Sequence, residues 1–168
     1  MAKPTLEFLK RLLDTPGPSG FETAPARVWR DEVKRFADDV SADVHGNSVG
    51  IIHAKGAPRL MLAGHIDEIG LQITHIDDEG YLYFAGIGGW DPQVLVGQRV
   101  VLAGRNGPVR GVIGKQAVHL MKREDMDKAS KITDLWIDIG AATKAEARER
   151  VRVGDAAVLD AAVQEFPN

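Results

Sequence analysis

The chain has 168 residues, of which 44% are hydrophobic and 27% are charged, as in ordinary soluble globular proteins. Its 24 acidic and 21 basic residues are mixed along the sequence and give a net charge of -3, so no basic patch favours a nucleic-acid partner. The sequence contains no cysteine, which excludes disulfides, thiolate zinc sites and cysteine nucleophiles. Any metal must therefore be held by His, Asp or Glu.

No stretch of the sequence is apolar enough to suggest a membrane partner. Every apolar run falls short of the ~20 residues that are needed to cross a bilayer. The N-terminal residues lead into an amphipathic pattern and lack the features of a signal peptide. We therefore expect a cytoplasmic protein.

Two amphipathic helices are predicted at the start of the chain. Leucines recur at helical spacing over residues 5–14, and the Pro16-Gly17-Pro18 run ends this helix. Ser19 and Glu22 form a capping-box pattern ahead of a second helix that extends to about Ala37, and we interpret both side chains as caps. The side chains expected to face inward from the second helix are Val28, Trp29, Val33 and Phe36.

A β-hairpin is predicted next. Residues 38–44 and 48–53 have strand character and are separated by Gly46-Asn47, a dipeptide that favours a tight turn. Turn chemistry explains Gly46 and Asn47 without any ligand. We expect His45 and His53 to face solvent or to lie at an edge.

A short apolar run, Leu60–Ala63, then leads into a polar cluster. Such a run is typical of a strand in a sheet with both faces covered, and ligands of open α/β sheets bind beyond the carboxyl ends of strands. Because side chains alternate along a strand, His65 and Asp67 should project to one side and Glu68 to the other. A histidine oriented by a carboxylate can bind a metal. These residues alone slightly favour the alternative, a simple hydrogen bond between neighbours.

The pattern changes after Gly70 to short strands separated by turn signals. The strands predicted in this region are residues 71–76, 81–85, 98–103, 109–113, 135–140 and 156–159. A capped helix is predicted from Thr143 to Arg150, before the last of these strands. Almost no other helix is expected, so we predict a small antiparallel barrel or sandwich, spliced in at roughly residues 69–158.

Two glycine-rich stretches and one histidine in this region have simple structural explanations. No helical pattern follows Ile87–Pro92 or Gly104–Gly107, so turn glycines explain them better than a phosphate-binding loop does. His119 lies among apolar residues, and a satisfied structural histidine is our default interpretation. Residues 122–131 are charged and are expected to form a solvated connection.

The order of several motifs points to one family. These motifs are Gly17–Glu22, Asp43 with Gly46-Asn47, Ala63–Gly70, Ile87–Gly89, Gly111–Gly114, Asp138–Gly140 and Gly154-Asp155. Together they resemble the N-terminal portion of the di-metal glutamyl aminopeptidase, or tetrahedral aminopeptidase, family, whose members have sometimes been labelled endoglucanase or cellulase. The resemblance covers nearly the whole chain. It implies an α/β metallopeptidase domain interrupted by a β-rich dimerisation domain.

The resemblance also implies a domain division and an assembly. Residues 1–68 would be the N-terminal segment of the catalytic domain, residues 69–158 the inserted dimerisation domain, and residues 159–168 the start of the return to the catalytic domain. Family members commonly build a twelve-subunit tetrahedral particle from dimers. We therefore expect a homo-oligomer, either a dimer or, for a complete protein, a dodecamer.

The same resemblance implies roles for three residues. His65 would bind one of two divalent metals, usually zinc, cobalt or manganese, and Asp67 would support it as a catalytic-site carboxylate. His119 would contact the substrate or the active site of a neighbouring subunit. Here the sequence departs from the family, because Gly114–His119 reads Gly-Lys-Gln-Ala-Val-His where the family usually has Gly-Ala-Lys-Pro-Pro-His.

The implied function is removal of N-terminal residues from peptides by a water that two metals activate. In the family, the metal-bridging aspartate, the catalytic glutamate and the remaining ligands lie downstream of the inserted domain, so we expect these 168 residues alone to be inactive. The alternative is a non-catalytic dimerisation or assembly module. A glycosidase would need two carboxylates that flank a sugar cleft, and no such pair is evident.

Overall fold

The computed structural model describes residues 3–167, which form two compact units. The N-terminal unit comprises the described residues up to Glu68 together with those from Ala162 onward, and the barrel unit is Ile69–Ala161. Within the described residues, no helix combines the length and the apolar character that a membrane span requires.

The N-terminal unit contains two helices and one hairpin. Helix α1 is Lys3–Leu13 and helix α2 is Thr23–Val33. Strands β1 (Asp39–Ala42) and β2 (Ser48–Ile51) pair antiparallel across the predicted turn. The hairpin packs on α2 closely, since a Cβ at Gly50 would lie only 2.5 Å from Val33 Cγ1. The two helices and the hairpin are confirmed.

Helix α2 ends earlier than the sequence predicts. After Val33 the chain makes tighter i→i+3 bonds, in which Arg35 N donates to Glu32 O at 3.1 Å and Phe36 N donates to Val33 O at 3.1 Å. Phe36 is 59% exposed, so its predicted inward position is wrong. Among the four residues predicted to face inward, Val33 is buried, and Val28 and Trp29 are half-buried.

The predicted strand at Leu60–Ala63 does not form. No strand pairs with this segment within residues 3–167, and a strand without hydrogen-bonded neighbours leaves its amide groups to water. Leu60, Met61 and Leu62 are 83%, 85% and 89% exposed. An apolar run indicates that a strand would need to be buried, but it does not show whether neighbouring strands are present to pair with it. The prediction is wrong for these residues for that reason.

The barrel unit is a closed antiparallel barrel of six strands. Its strands are β3 (Gly70–Ile76), β4 (Leu82–Ile87), β5 (Arg99–Gly104), β6 (Gly107–Lys115), β7 (Leu135–Asp138) and β8 (Ala156–Leu159). Their order around the barrel is β3-β4-β7-β6-β5-β8, so the first and last strands close it, with Leu71 paired to Ala157. The predicted fold class, α/β with a β-rich small barrel, is confirmed.

The barrel interior holds the main hydrophobic core. Alternate positions of β3 and β4 are buried, as expected for strands with one face inward. The buried cluster consists of Leu71, Ile73, Ile76, Leu82, Phe84, Leu95, Val100, Leu102, Ile113, Leu135, Ile137, Ile139, Ala147, Val151 and Ala157. This apolar interior explains why the strands after Gly70 form within the described residues.

Two short helices pack against the barrel. Helix α3 (Pro92–Leu95) is not among the predicted elements. At its start Asp91 Oδ1 accepts a hydrogen bond from Gln93 N at 2.9 Å, and Leu95 is fully buried. Helix α4 (Lys144–Arg150) begins at the predicted cap, where Thr143 Oγ1 accepts from Glu146 N at 3.2 Å. Its Ala147 is buried against the core.

Candidate functional site

His65 and Asp67 contact each other directly in the N-terminal unit. His65 Nδ1 lies 2.9 Å from Asp67 Oδ1 and 3.1 Å from the Asp67 carbonyl oxygen. Both oxygens are acceptors, so Nδ1 carries the proton, and in the neutral imidazole Nε2 presents its lone pair. The imidazole is 85% exposed, and Nε2 has no protein partner in the described part of the chain. A metal could therefore approach Nε2.

Ser19 holds the other side of the same carboxylate. Its hydroxyl donates to Asp67 Oδ2, so each carboxylate oxygen accepts a hydrogen bond from a different side chain. The Ser19 hydroxyl and, after it, the His65 ring hold the pKa of Asp67 below its usual range. Asp67 is therefore ionised at neutral pH, which favours the tautomer of His65 with its proton on Nδ1.

A short parallel bridge brings Ser19 to Asp67. Glu68 N donates to Gly17 O at 3.0 Å, and Ser19 N donates to Glu68 O at 3.2 Å. The Glu68 carboxylate accepts from Gly17 N at 3.0 Å, so the side chain adds a third bond to the same contact. Glycine is required at position 17, because a Cβ there would lie 2.3 Å from Pro25 Cγ. The bridge thus fixes the serine beside the carboxylate.

The capping interpretation of Ser19 and Glu22 is wrong. Helix α2 has Glu22 at its N-cap with no side-chain cap hydrogen bond. Glu22 Oε1 accepts from Gly20 N at 2.6 Å, and the Ser19 hydroxyl binds Asp67. Ser19 lies too far before the first helical residue, Thr23, to cap it. Sequence reasoning therefore missed the role of Ser19, and its place in the Gly17–Glu22 motif was the available signal.

The donor set fits one arm of a metal site. A neutral imidazole whose second nitrogen donates to a carboxylate is a common metal ligand, so His65 and Asp67 suit a divalent cation. Within residues 3–167, however, no three His, Cys, Asp or Glu side chains are grouped so that they could hold an ion. These residues therefore fit a metal only together with further ligands.

The polar residues of the β1–β2 turn serve the turn. Asp43 Oδ1 accepts from His45 N at 2.9 Å and from Asn47 N at 3.0 Å, and its Oδ2 accepts from Asn47 Nδ2 at 2.8 Å. The Asn47 amide, more than the backbone donors, holds the pKa of Asp43 below its usual range. The turn explanation of Gly46 and Asn47 is confirmed by these contacts and by the positive φ of Gly46.

His119 lies in the barrel unit, on a single 3-10 turn (Val118–Leu120) between β6 and β7. The side chain is exposed and has no hydrogen-bond partner in the described part of the chain. The default interpretation of a satisfied structural histidine is therefore wrong. Its neighbours Val118 and Leu120 are also exposed, by 63% and 66%, so the turn presents apolar side chains to water.

Comparisons with known proteins identify a matching protein family and similar proteins. The family model for M42 glutamyl aminopeptidase matches residues 46–168. The lysyl aminopeptidase of Pyrococcus furiosus is 39% identical over 147 residues, which are 85% of this chain and 42% of the relative. The chain therefore spans less than half the length of this curated relative.

Solved structures agree with this comparison. The TET aminopeptidase of the archaeon Thaumarchaeota archaeon SCGC AB-539-E09 has a TM-score of 0.93 and 36% identity, covering 98% of this chain and 47% of that chain. The Pyrococcus horikoshii TET1 peptidase, which can assemble into a tetrahedron or a large octahedral shell, has a TM-score of 0.79 and 39% identity. That match covers 92% of this chain and 46% of the peptidase.

Proposed function

Because the chain belongs to the M42 glutamyl aminopeptidase family, we propose that the protein takes part in metal-dependent removal of N-terminal residues from peptides. The observation that carries this proposal is the series of hydrogen bonds from Ser19 to Asp67 and from His65 to Asp67, which leaves His65 Nε2 available. The acidic and basic residues are mixed along the sequence, which suits a peptide partner better than nucleic acid. The composition of the chain suits a cytoplasmic protein.

In this proposal, His65 would hold one of two divalent ions through Nε2. The ions, when bound, supply the Lewis acidity that polarises a peptide carbonyl and lowers the pKa of the attacking water. Asp67 holds the Nδ1 proton and so keeps the Nε2 lone pair directed outward. Ser19 fixes Asp67 in turn. Zinc, cobalt and manganese all suit an imidazole ligand combined with carboxylates.

We propose that these 168 residues carry only part of the site and are inactive alone. The described residues contain no group of three potential metal ligands, and a two-metal hydrolase also needs a general base. The further ligands would come from polypeptide that corresponds to the part of the relatives lying outside the match, which is more than half of their length.

A fusion to the unmatched part of the Pyrococcus furiosus lysyl aminopeptidase tests the site. We expect the fusion to hydrolyse aminoacyl p-nitroanilides and to bind metal, as measured by mass spectrometry of bound ions, and the 168-residue chain alone to do neither. His65→Ala should abolish both properties. His45→Ala, which removes an exposed histidine from the β1–β2 turn, is the matched control and should retain them.

One result would contradict the assignment of His65. If a folded His65→Ala fusion kept the activity and the metal content of the parent fusion, the ligand role would be wrong. Circular dichroism of both fusions establishes that they are equally folded before the comparison is made.

We further propose that the protein forms homo-oligomers through the barrel unit, as an inserted dimerisation domain. Exposed Val118 and Leu120 flank His119 and supply an apolar surface that a second subunit could cover. His119 would then contact the substrate or the neighbouring subunit. Leu120→Lys should shift a dimer or a larger particle to the monomer in light scattering, whereas Val153→Lys, at an exposed site elsewhere on this unit, should not.

The second candidate is a non-catalytic assembly module, which the same exposed turn favours. It predicts a stable oligomer of the 168-residue chain and no gain of activity in the fusion. A monodisperse monomer at micromolar concentration would count against it. Activity of the fusion would exclude it.

A further inference from the structure

A broad groove on the barrel unit is lined by three arginines. Its volume is about 800 Å³, and its lining residues are Arg105, Asn106, Ala145, Arg148, Glu149 and Arg152. Arg105 and Asn106 form the turn between β5 and β6, and Arg148 lies on α4. Arg152 follows the end of that helix. The three guanidinium groups therefore come from three different segments that surround one space.

The backbone around this groove is fixed by buried contacts. Arg105 N donates to Arg150 O at 2.9 Å, which joins the β5–β6 turn to the end of α4. Arg152 donates from N and from Nε to the two oxygens of Asp155, each at 3.0 Å, and Asp155 is buried. Val151, which lies between Arg150 and Arg152, is fully buried in the core. The arginines thus extend from a rigid frame.

The charges in the groove are only partly balanced by described residues of the protein, because Arg152 alone of the three arginines pairs with a carboxylate, that of Asp155. Arg105 and Arg148 pair with no carboxylate in the described part of the chain, and Arg152 uses only its Nε, so both of its terminal nitrogens are available. Glu149 is the one carboxylate in the lining. The three arginines, Glu149 and Asp155, which is paired with Arg152, together carry a formal charge of +1, on a chain whose net charge is -3.

We infer that the groove binds a phosphate-bearing anion. Guanidinium groups donate paired N–H bonds that match the oxygens of phosphate, and three of them around one space can each bind a different oxygen. A phosphate monoester carries a charge of about -1.5 to -2 at pH 7 and offers three acceptor oxygens, one for each guanidinium group, whereas a carboxylate offers only two. Inorganic phosphate and a small phosphorylated molecule share this chemistry.

The open shape of the groove sets the expected affinity. Water and salt weaken each exposed ionic contact, so we expect a dissociation constant on the order of 1 mM for inorganic phosphate, and a tighter one for pyrophosphate. Amide and guanidinium NMR signals report binding in this range directly. The purified 168-residue chain is titrated with each anion at constant ionic strength, with chloride as the balancing ion.

We expect saturable shifts of the Arg105 and Asn106 amides and of the Nε–H signals of Arg148 and Arg152. Arg148→Gln and Arg105→Gln should each weaken pyrophosphate binding about tenfold, which corresponds to ~1.4 kcal/mol. Glu149→Gln should strengthen it, because the variant removes the negative charge from the lining.

Arg27→Gln is the matched control. Arg27 is an exposed arginine on α2 with no partner among the described residues, so the variant makes the same charge change outside the groove. Binding should be unchanged in it. Equal weakening by Arg27→Gln and Arg148→Gln would show a general effect of net charge and would overturn the inference.

Titrations with succinate and with glycerol 3-phosphate distinguish a phosphate site from a general anion site, and a phosphorylated molecule from the free ion. Succinate has a similar charge but carboxylate oxygens only, and binding of succinate as tight as that of phosphate would overturn the assignment to phosphate. Glycerol 3-phosphate that binds more tightly than inorganic phosphate would identify a phosphorylated organic molecule as the ligand. The opposite order would identify the free ion, and either order supports the phosphate site.

Discussion

Gly111 on β6 occupies a position in the barrel where no side chain can be accommodated. A Cβ at this position would lie 2.6 Å from Ile137 Cγ2 and 3.0 Å from the Asp138 carbonyl oxygen on the neighbouring strand β7. Because one of these atoms belongs to the backbone, the strand itself would have to move. The packing of β6 on β7 thus depends on this glycine.

Gly111→Ala should lower the free energy of unfolding by about 1–3 kcal/mol, the usual cost of overpacking a core. Urea unfolding followed by circular dichroism measures the change. Gly89→Ala is the control, because a Cβ at Gly89 would meet nothing within 4 Å, and it should change the stability by less than ~0.5 kcal/mol. Equal effects in the two variants would contradict the packing argument.

Asp43 in the β1–β2 turn couples stability to pH. Its folded-state pKa lies below the usual value near ~3.9, because the Asn47 amide and two backbone N–H groups stabilise the charged form. The unfolded chain therefore binds the proton more tightly than the folded chain does. The stability from this turn is fully present above the unfolded pKa and is lost as the pH falls through the folded pKa.

Asn47→Ala should raise the pKa of Asp43 towards its usual value, because the largest stabilising hydrogen bond is removed. Carboxyl ¹³C NMR titration measures this pKa. Asn106→Ala makes the same substitution in the β5–β6 turn, away from the hydrogen bonds of Asp43, and should leave the pKa of Asp43 unchanged. An unchanged pKa in Asn47→Ala would show that the backbone donors alone set it.

The local part of the candidate site could be predicted from the sequence, and the distant part could not. His65 and Asp67 are two positions apart, and the sequence places them side by side even though the strand that we expected at this segment does not form. The contact of Ser19 with Asp67 depends on the bridge between Pro18 and Glu68, which joins segments that are remote in sequence. Local patterns carry no information about such a bridge, and a capping motif is the commoner explanation of a serine there.

At the scale of elements, the strands that could be predicted are those whose partners lie within the described residues. Alternating apolar residues located β3–β8, because each of these strands contributes one face to the barrel interior. Helix α3 is four residues long, too short to show a helical period. Leu60–Ala63 has the composition of a buried strand, but within residues 3–167 no neighbouring strand pairs with it.

The exposed run Leu60–Leu62 should make the isolated chain self-associate, because three adjacent apolar side chains face water. Met61→Glu should reduce this association in light scattering at high concentration, and it should change the unfolding free energy by less than ~0.5 kcal/mol. Val94→Glu, which alters a singly exposed side chain on α3, is the control and should not reduce it. Unchanged association of Met61→Glu would contradict the argument.

At the scale of the whole molecule, the two units differ in how much apolar surface they bury. The fully buried cluster belongs to the barrel unit, whereas the buried hydrophobic side chains described in the N-terminal unit are Ala26 and Val33. Stability within a protein follows such differences in burial, because local opening is easiest where few apolar contacts are lost.

The rate of amide hydrogen exchange should therefore differ between the residues before and after about residue 69. We expect amides of β3–β8 to exchange at least ~100-fold more slowly, after correction for sequence, than amides of β1 and β2. Excised residues 69–161 should retain the same protected amides, since this unit holds its own core and closed sheet. Equal protection in the two units, or loss of the barrel amides on excision, would contradict this expectation.

Closure of the barrel by its first and last strands also constrains how the chain folds. Strand β3 obtains its second neighbour only when β8 arrives, and the contact between Leu71 and Ala157 spans almost the entire barrel sequence. Contacts so distant in sequence cost loop entropy before they form and slow folding. During synthesis one edge of β3 stays unpaired until β8 has emerged from the ribosome, which makes the growing chain most prone to misassembly during that interval.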